Sequence, residues 1–219
     1  TSPESTAQLA AGGAYVADDL ARVLKLFAVT AVATVFLYSR PWLRSRKLHF
    51  GEYYVLGLFG LLGVMVLASG YSLLVSYIGL EILSLSLYAM VAFDRDSARS
   101  AEAAMKYFVL GAIASGTLLY GMSLIYGITG TLQIAELQTT IAAKSEVVGL
   151  WVGLGFIVVG VAFKFGAVPF HMWVPDVYHG APTAMTMLIG SAPKLAAFAF
   201  VSRILVEGLQ PLVQHWSGM

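Results

Sequence analysis

Six apolar stretches, parted by short polar connections, decide what this chain can be. They cover residues 21–38, 52–69, 73–93, 101–128, 148–167 and 183–206. Each comes near the ~20 residues that an α-helix needs to cross the hydrocarbon of a bilayer. Of the 219 residues, 58% are hydrophobic and 11% charged, against about a quarter charged in a soluble domain. Mean hydropathy is +0.79. The fold class that follows is all-α, a polytopic transmembrane helix bundle of about six spans.

The fifth span is broken. It carries Lys164, meets Pro169, and continues through His171 and Trp173 as a second piece to about residue 178. A helix break at membrane depth is tolerated only where it is buried in protein or lines a cavity. The sixth span then carries Pro193-Lys194. Two lysines flanking one break suggest a path for charge, because an intramembrane lysine is costly without a partner or water. Pro193 removes one backbone bond from its helix, which predicts a kink there.

Elsewhere the chain reads simply. Residues 1–20 form a polar loop with weak helical character, Pro41 stops the first span, and Gly70-Tyr71-Ser72 is a tight connection. The segment 94–100 offers N-caps for the fourth span, whose small residues Gly111, Ala112, Ala114, Ser115 and Gly116 suit close helix contact. Residues 133–144 read as a short surface helix. Gly208 and Pro211 stop the sixth span. Arg40, Arg44, Arg46, Lys47, Arg95 and Arg99 share one side, and Arg22, Lys144 and Arg203 the other. Basic loops mark the cytoplasmic face, which puts residues 1–20 outside and His171 and Asp176 toward the cytoplasm. The chain starts at Thr1 without a visible signal peptide, and an apolar segment opens at its end, so it reads as a piece of a longer one.

Glu81 sits amid YIGLEILSLSLYAM and cannot easily reach an interface. It is either a neutral, hydrogen-bonded carboxyl or a proton-handling one. A Glu81–Lys164 pair would let the lysine change between charged and neutral forms, as a proton carrier must; the plain alternative is a static ion pair. Lys194 is a second candidate station. Lys106 could equally snorkel to water, and Lys25 reads as doing so. His171 is a relay candidate or a structural group, while Asp176 and His179 shape a turn. The absence of cysteine excludes disulfides and thiolate chemistry. No ligand spacing suggests a metal, no glycine loop a phosphate, and no basic–aromatic cluster a nucleic acid.

The segment KFGAVPFHMWVPDVYHGAPT, with YIGLEILSLSLYAM, AAMKYFVLGAIASG and YGITGTLQIAEL, resembles the antiporter-like membrane subunits of respiratory complex I, the NADH–quinone oxidoreductase. That resemblance implies about fourteen helices in two inverted five-helix repeats, a known transporter architecture. This chain would hold the third to eighth helices, and so the first repeat. The family's fifth-helix glutamate falls on Glu81, its broken-helix lysine on Lys164, its eighth-helix lysine on Lys194, a sixth-helix lysine on Lys106 and the broken-helix histidine on His171. The implied function is that of a non-redox, proton-translocating subunit with no active site of its own, coupling quinone reduction to proton transfer. NADH, quinone, FMN and iron–sulfur clusters belong to other subunits. The implied partners are the other membrane-arm subunits and the lipid bilayer, in a bacterial inner membrane. A multi-subunit cation/proton antiporter, a membrane-bound hydrogenase, or a purely structural membrane-arm subunit are the rival readings.

Overall fold

Polar residues at the ends of the apolar stretches cap them into helices. The computed structural model describes residues 7–48, 50–144 and 147–216; the expectations for residues 1–6 and for the segment opening at 217–219 lie outside these. Asp18 accepts the Ala21 amide at 2.9 Å and starts α1 (Asp19–Ser45). α2 (Phe50–Ser69) and α3 (Leu73–Val91) follow. Ser97 accepts the Ser100 amide and starts α4 (Ala98–Thr129), which closes on Gly130 in the left-handed conformation. After α5 (Ile134–Ala142), α6 (Val148–Phe165) ends on Gly166, again left-handed, and the chain resumes as α7 (Trp173–Gly180). The last span is α8 (Thr183–Ile189) and α9 (Ala192–Val201), running into a π-helical stretch, Ser202–Gly208. A short helix, α10 (Val213–Trp216), closes the described chain. Six of these helices, α8 and α9 counting as one, are long and apolar enough to cross a membrane.

Four expectations need correction. Residues 8–17 are not weakly helical: β1 (Gln8–Ala10) and β2 (Tyr15–Ala17) form a small antiparallel hairpin. Its turn holds Ala11, Gly12 and Gly13 at positive φ, which a helix does not allow. Pro41 does not stop α1, which runs four residues further. The lost bond frees the carbonyl of exposed Leu37, while fully buried Leu43 keeps the last turn against the core. The short helix α5 is not simply superficial, since Ile134, Leu137 and Ile141 are fully buried on one face at helical spacing. The kink in the last span falls before Pro193, at Gly190-Ser191. α8 ends at Ile189, the residue whose carbonyl Pro193 can neither bond nor clear.

Close backbone approach sets the packing. A β-carbon on Gly121 of α4 would lie 2.7 Å from the Gly153 carbonyl of α6 and 2.9 Å from the Ile157 amide, so only glycine permits this crossing. Leu118, Ile125, Leu150, Leu154 and Ile157 fill the seam, fully buried. Large apolar side chains elsewhere, such as Leu26, Leu37, Met105 and Ile113, stay exposed, as a lipid-facing surface requires.

The two ends of the bundle are distinct. At one, Arg95 pairs with Glu52 at 2.9 Å and Lys106 with Asp176 at 3.2 Å, so the basic loops do share an end. At the other, the hairpin, the α2–α3 turn and the start of α5 are stitched by backbone bonds: Tyr71 to Ala14, Leu73 to Leu132, and Ile134 to Tyr71.

Candidate functional site

The site begins with the break. Gly166, at φ +72°, closes α6 by bonding back to Ala162 and Phe163, and Ala167 bonds Ala162 at 2.9 Å. The Val168–Pro169 peptide is cis. The chain is then pinned by Trp173, whose indole N–H donates to the Phe163 carbonyl at 2.9 Å and whose ring stacks on Tyr107 of α4 at 4.8 Å. The arrangement leaves Lys164 one residue from the helix end, facing inward.

Lys164 Nζ donates to Ser84 Oγ of α3 at 2.8 Å and to Ser115 Oγ of α4 at 3.5 Å. Both serines are buried. Ser84 is the twelfth of nineteen residues in α3, and Ser115 the eighteenth of thirty-two in α4, so the ammonium lies near mid-span. Lys194 Nζ donates to the carbonyls of Phe165 at 3.0 Å and Lys164 at 3.4 Å, and lies 5.5 Å from the Trp173 ring centroid. It thereby satisfies carbonyls that the break leaves without helical partners. The two lysines line one cavity of about 40 Å³ with Ser84, Tyr107, Trp173 and a ring of apolar side chains. That volume admits roughly two or three waters; most of the lining is apolar, and Ser84, Lys164 and Lys194 supply the polar groups that such waters would bond.

Three candidates stand differently from expectation. Glu81 lies one turn before Ser84, with a buried oxygen that has no hydrogen-bond partner. Among the described residues it makes no ion pair within 4 Å, so the direct Glu81–Lys164 contact is not formed. His171 is exposed and does not line the cavity. Lys106 is half-exposed and bridges Glu102 on its own helix at 2.9 Å and Asp176 of α7 at 3.2 Å. Asp176 is therefore a strut between α4 and α7 rather than a turn cap alone. Among the described residues, no three His, Asp or Glu side chains gather as a metal would need.

Two features were missed at the level of sequence. Ser84 shares a helix face with Glu81 at i, i+3 spacing, a signal open to reading. Arg203, which the sequence placed only by side, is buried and pairs with Asp18 at 2.6 Å and Glu207 at 2.7 Å. Its i, i+4 spacing to Glu207 was visible, but its pairing with Asp18 across 185 residues was not. Burial pushes the Asp18 carboxyl up, yet hydrogen bonds from Arg203 and the Ala21 amide, with the guanidinium charge, hold it below the usual carboxylate value. Burial raises the Tyr71 phenol beside them, as it does Tyr178 in α7.

A polytopic helical bundle with cationic side chains at mid-span beside a broken helix defines a class, membrane proteins that hold charge at the depth of the hydrocarbon. Residues 70–217 match the family described as NADH:quinone oxidoreductase/Mrp antiporter, transmembrane, and the chain belongs to that family. It is 61% identical over 207 residues to the NADH-quinone oxidoreductase subunit N of Thioalkalivibrio sulfidiphilus (strain HL-EbGR7), covering 94% of this chain and 43% of that one. The corresponding subunit of Thiobacillus denitrificans (strain ATCC 25259 / T1) is 58% identical, over 96% of this chain and 44% of the relative. The chain thus spans less than half the length of these curated relatives. In respiratory complex I from Thermus thermophilus with bound aureothin, one chain superposes with a TM-score of 0.74 at 38% identity, over 89% of this chain and 42% of that one. A chain of the Mrp complex from Dietzia sp. DQ12-45-1b gives 0.72 at 26% identity, over 90% and 36%.

Proposed function

We propose that this chain is part of a proton-translocating subunit in the membrane arm of an NADH–quinone oxidoreductase, the subunit N type, in a bacterial inner membrane. The observation that carries the reading is Lys164 at mid-span, solvated by two serine hydroxyls, sharing a small cavity with Lys194 across a helix break. The subunit names of the relatives at 61% and 58% identity support it. In this reading Lys164 takes up a proton while Glu81, one turn along α3, tunes its affinity through space. The proton passes by cavity water toward Lys194. Lys106, held by two carboxylates near the basic end, is a peripheral member, and exposed His171 acts only if parts of the longer protein bring it a partner. Redox chemistry with NADH, FMN, iron–sulfur clusters and quinone belongs to partner subunits, and this one is a non-redox subunit of the enzyme complex without an active site of its own.

Likeness to the Mrp chain favours a second reading, a subunit of a cation/proton antiporter with similar chemistry and a different driving partner. Proton pumping in membrane vesicles decides the matter, with the full-length protein in its assembled complex and NADH oxidation followed in parallel. Lys164→Ala is expected to abolish pumping with the complex assembled. Unchanged pumping sinks the proton-transfer reading, and a complex that oxidises no NADH but exchanges cations for protons selects the antiporter.

A further inference from the structure

Building on the proton-transfer reading of Lys164, we propose that Ser84 is a positioning residue that holds this lysine out of ion-pairing reach of Glu81. The hydroxyl of Ser84 donates to the Leu80 carbonyl of its own helix at 2.7 Å. Its hydrogen is thereby committed, and what the oxygen turns toward Lys164 is a lone pair, which accepts from Nζ at 2.8 Å. Ser115 adds a longer contact from α4 at 3.5 Å. Glu81 lies one turn away on the same helix, its buried Oε1 without a hydrogen-bond partner, and among the described residues it makes no ion pair with the lysine within 4 Å.

That combination has a chemical consequence. A carboxylate oxygen shielded from solvent and left without a hydrogen-bond partner, as Glu81 Oε1 is, is the strongest acceptor an ammonium in low dielectric can find. Direct pairing would fix the lysine in its charged form and in one place. A serine oxygen carries no net charge, so it accepts an N–H from the charged and the neutral lysine alike. The lysine can then gain and lose a proton without leaving its seat beside the cavity. Ser84 thus converts Glu81 from a partner into a field source acting at a distance.

A double-mutant cycle in the assembled complex tests this, reading proton pumping and NADH oxidation together in vesicles. Ser84→Ala is expected to lower pumping about tenfold, the effect of losing one hydrogen bond to a charged group. Ser84→Thr, which keeps the hydroxyl and its backbone bond, should retain near-normal pumping. In a Glu81→Gln background the alanine change should add less than about a twofold loss, because no carboxylate remains to trap the lysine. Normal pumping in Ser84→Ala, or an equal loss in both backgrounds, overturns the proposal. Should Ser84→Ala fail to assemble, Ser84→Cys replaces it: pumping well below the threonine variant supports the proposal, and pumping equal to it overturns it, since a thiol is a weak acceptor. Lys164→Ala separates the two levels. If it pumps normally the proton-transfer reading itself fails; if it does not, while Ser84→Ala does, only the role of Ser84 falls.

Discussion

Lys164 and Lys194 share a cavity yet are held in different ways, and the difference assigns them different work. Lys164 rests on side-chain hydroxyls that tolerate a change of charge. Lys194 rests on two main-chain carbonyls at the cut end of α6, where a cation also meets the negative end of the helix dipole. Lys194 is therefore tied to the geometry of the break. Lys194→Met should leave those carbonyls unpartnered, at a cost of about 1–3 kcal/mol. Faster amide exchange across residues 162–167, with a lower thermal midpoint of the complex, is the expected result. Unchanged exchange there would show that the cap contributes nothing to the break.

At the scale of elements, α4 is the post against which the broken helix is set. Its Tyr107 receives the Trp173 ring, its Ser115 faces Lys164, and its Gly121 lets α6 approach to backbone contact. Moving α6 away from α4 moves the lysine from its hydroxyls. Gly121→Val places side-chain carbon where the Gly153 carbonyl and Ile157 amide stand, and overpacking of this kind costs about 1–3 kcal/mol. The variant should lower the thermal midpoint and reduce pumping together, although it lies far along the seam from Lys164. Intact pumping at a lowered midpoint would mean that the site tolerates a displaced α6. The break itself was legible in Gly166 and Pro169. The hairpin at residues 8–17 was not: Gly12-Gly13 marks its turn, but strands of three residues are too short to show an alternating pattern, and the bridge from Tyr15 to Gly70 joins segments that no local pattern links.

For the molecule as a whole, the Asp18–Arg203–Glu207 cluster ties the start of the first span to the end of the last. Arg203 is 3% exposed at its side chain, and Asp18 19%, so the pair is shielded from solvent more than a surface bridge would be. The folded-state value of Asp18 lies below its ordinary one. Its contribution to stability is thus complete at neutral pH and is lost as the pH falls through that lowered value, below about pH 4. The thermal midpoint of the wild type should drop more steeply over that window than that of Asp18→Asn. Parallel curves would show that the carboxylate does not tie the two spans.

The sequence alone determined the spans, the break, the sharing of one end by the basic loops, and the residue types able to carry a proton. These follow from hydropathy, proline and glycine, and the cost of charge in lipid, all of which act locally along the chain. Tertiary structure alone decided who meets whom: Ser84 rather than Glu81 at Lys164, Asp176 at Lys106, Asp18 at Arg203, and His171 away from the cavity. Such contacts depend on helix rotation and on the ångström-scale approach that Gly121 and Gly153 allow. An apolar stretch in lipid specifies that it will be a helix, but the facing helices decide which way its few polar side chains turn.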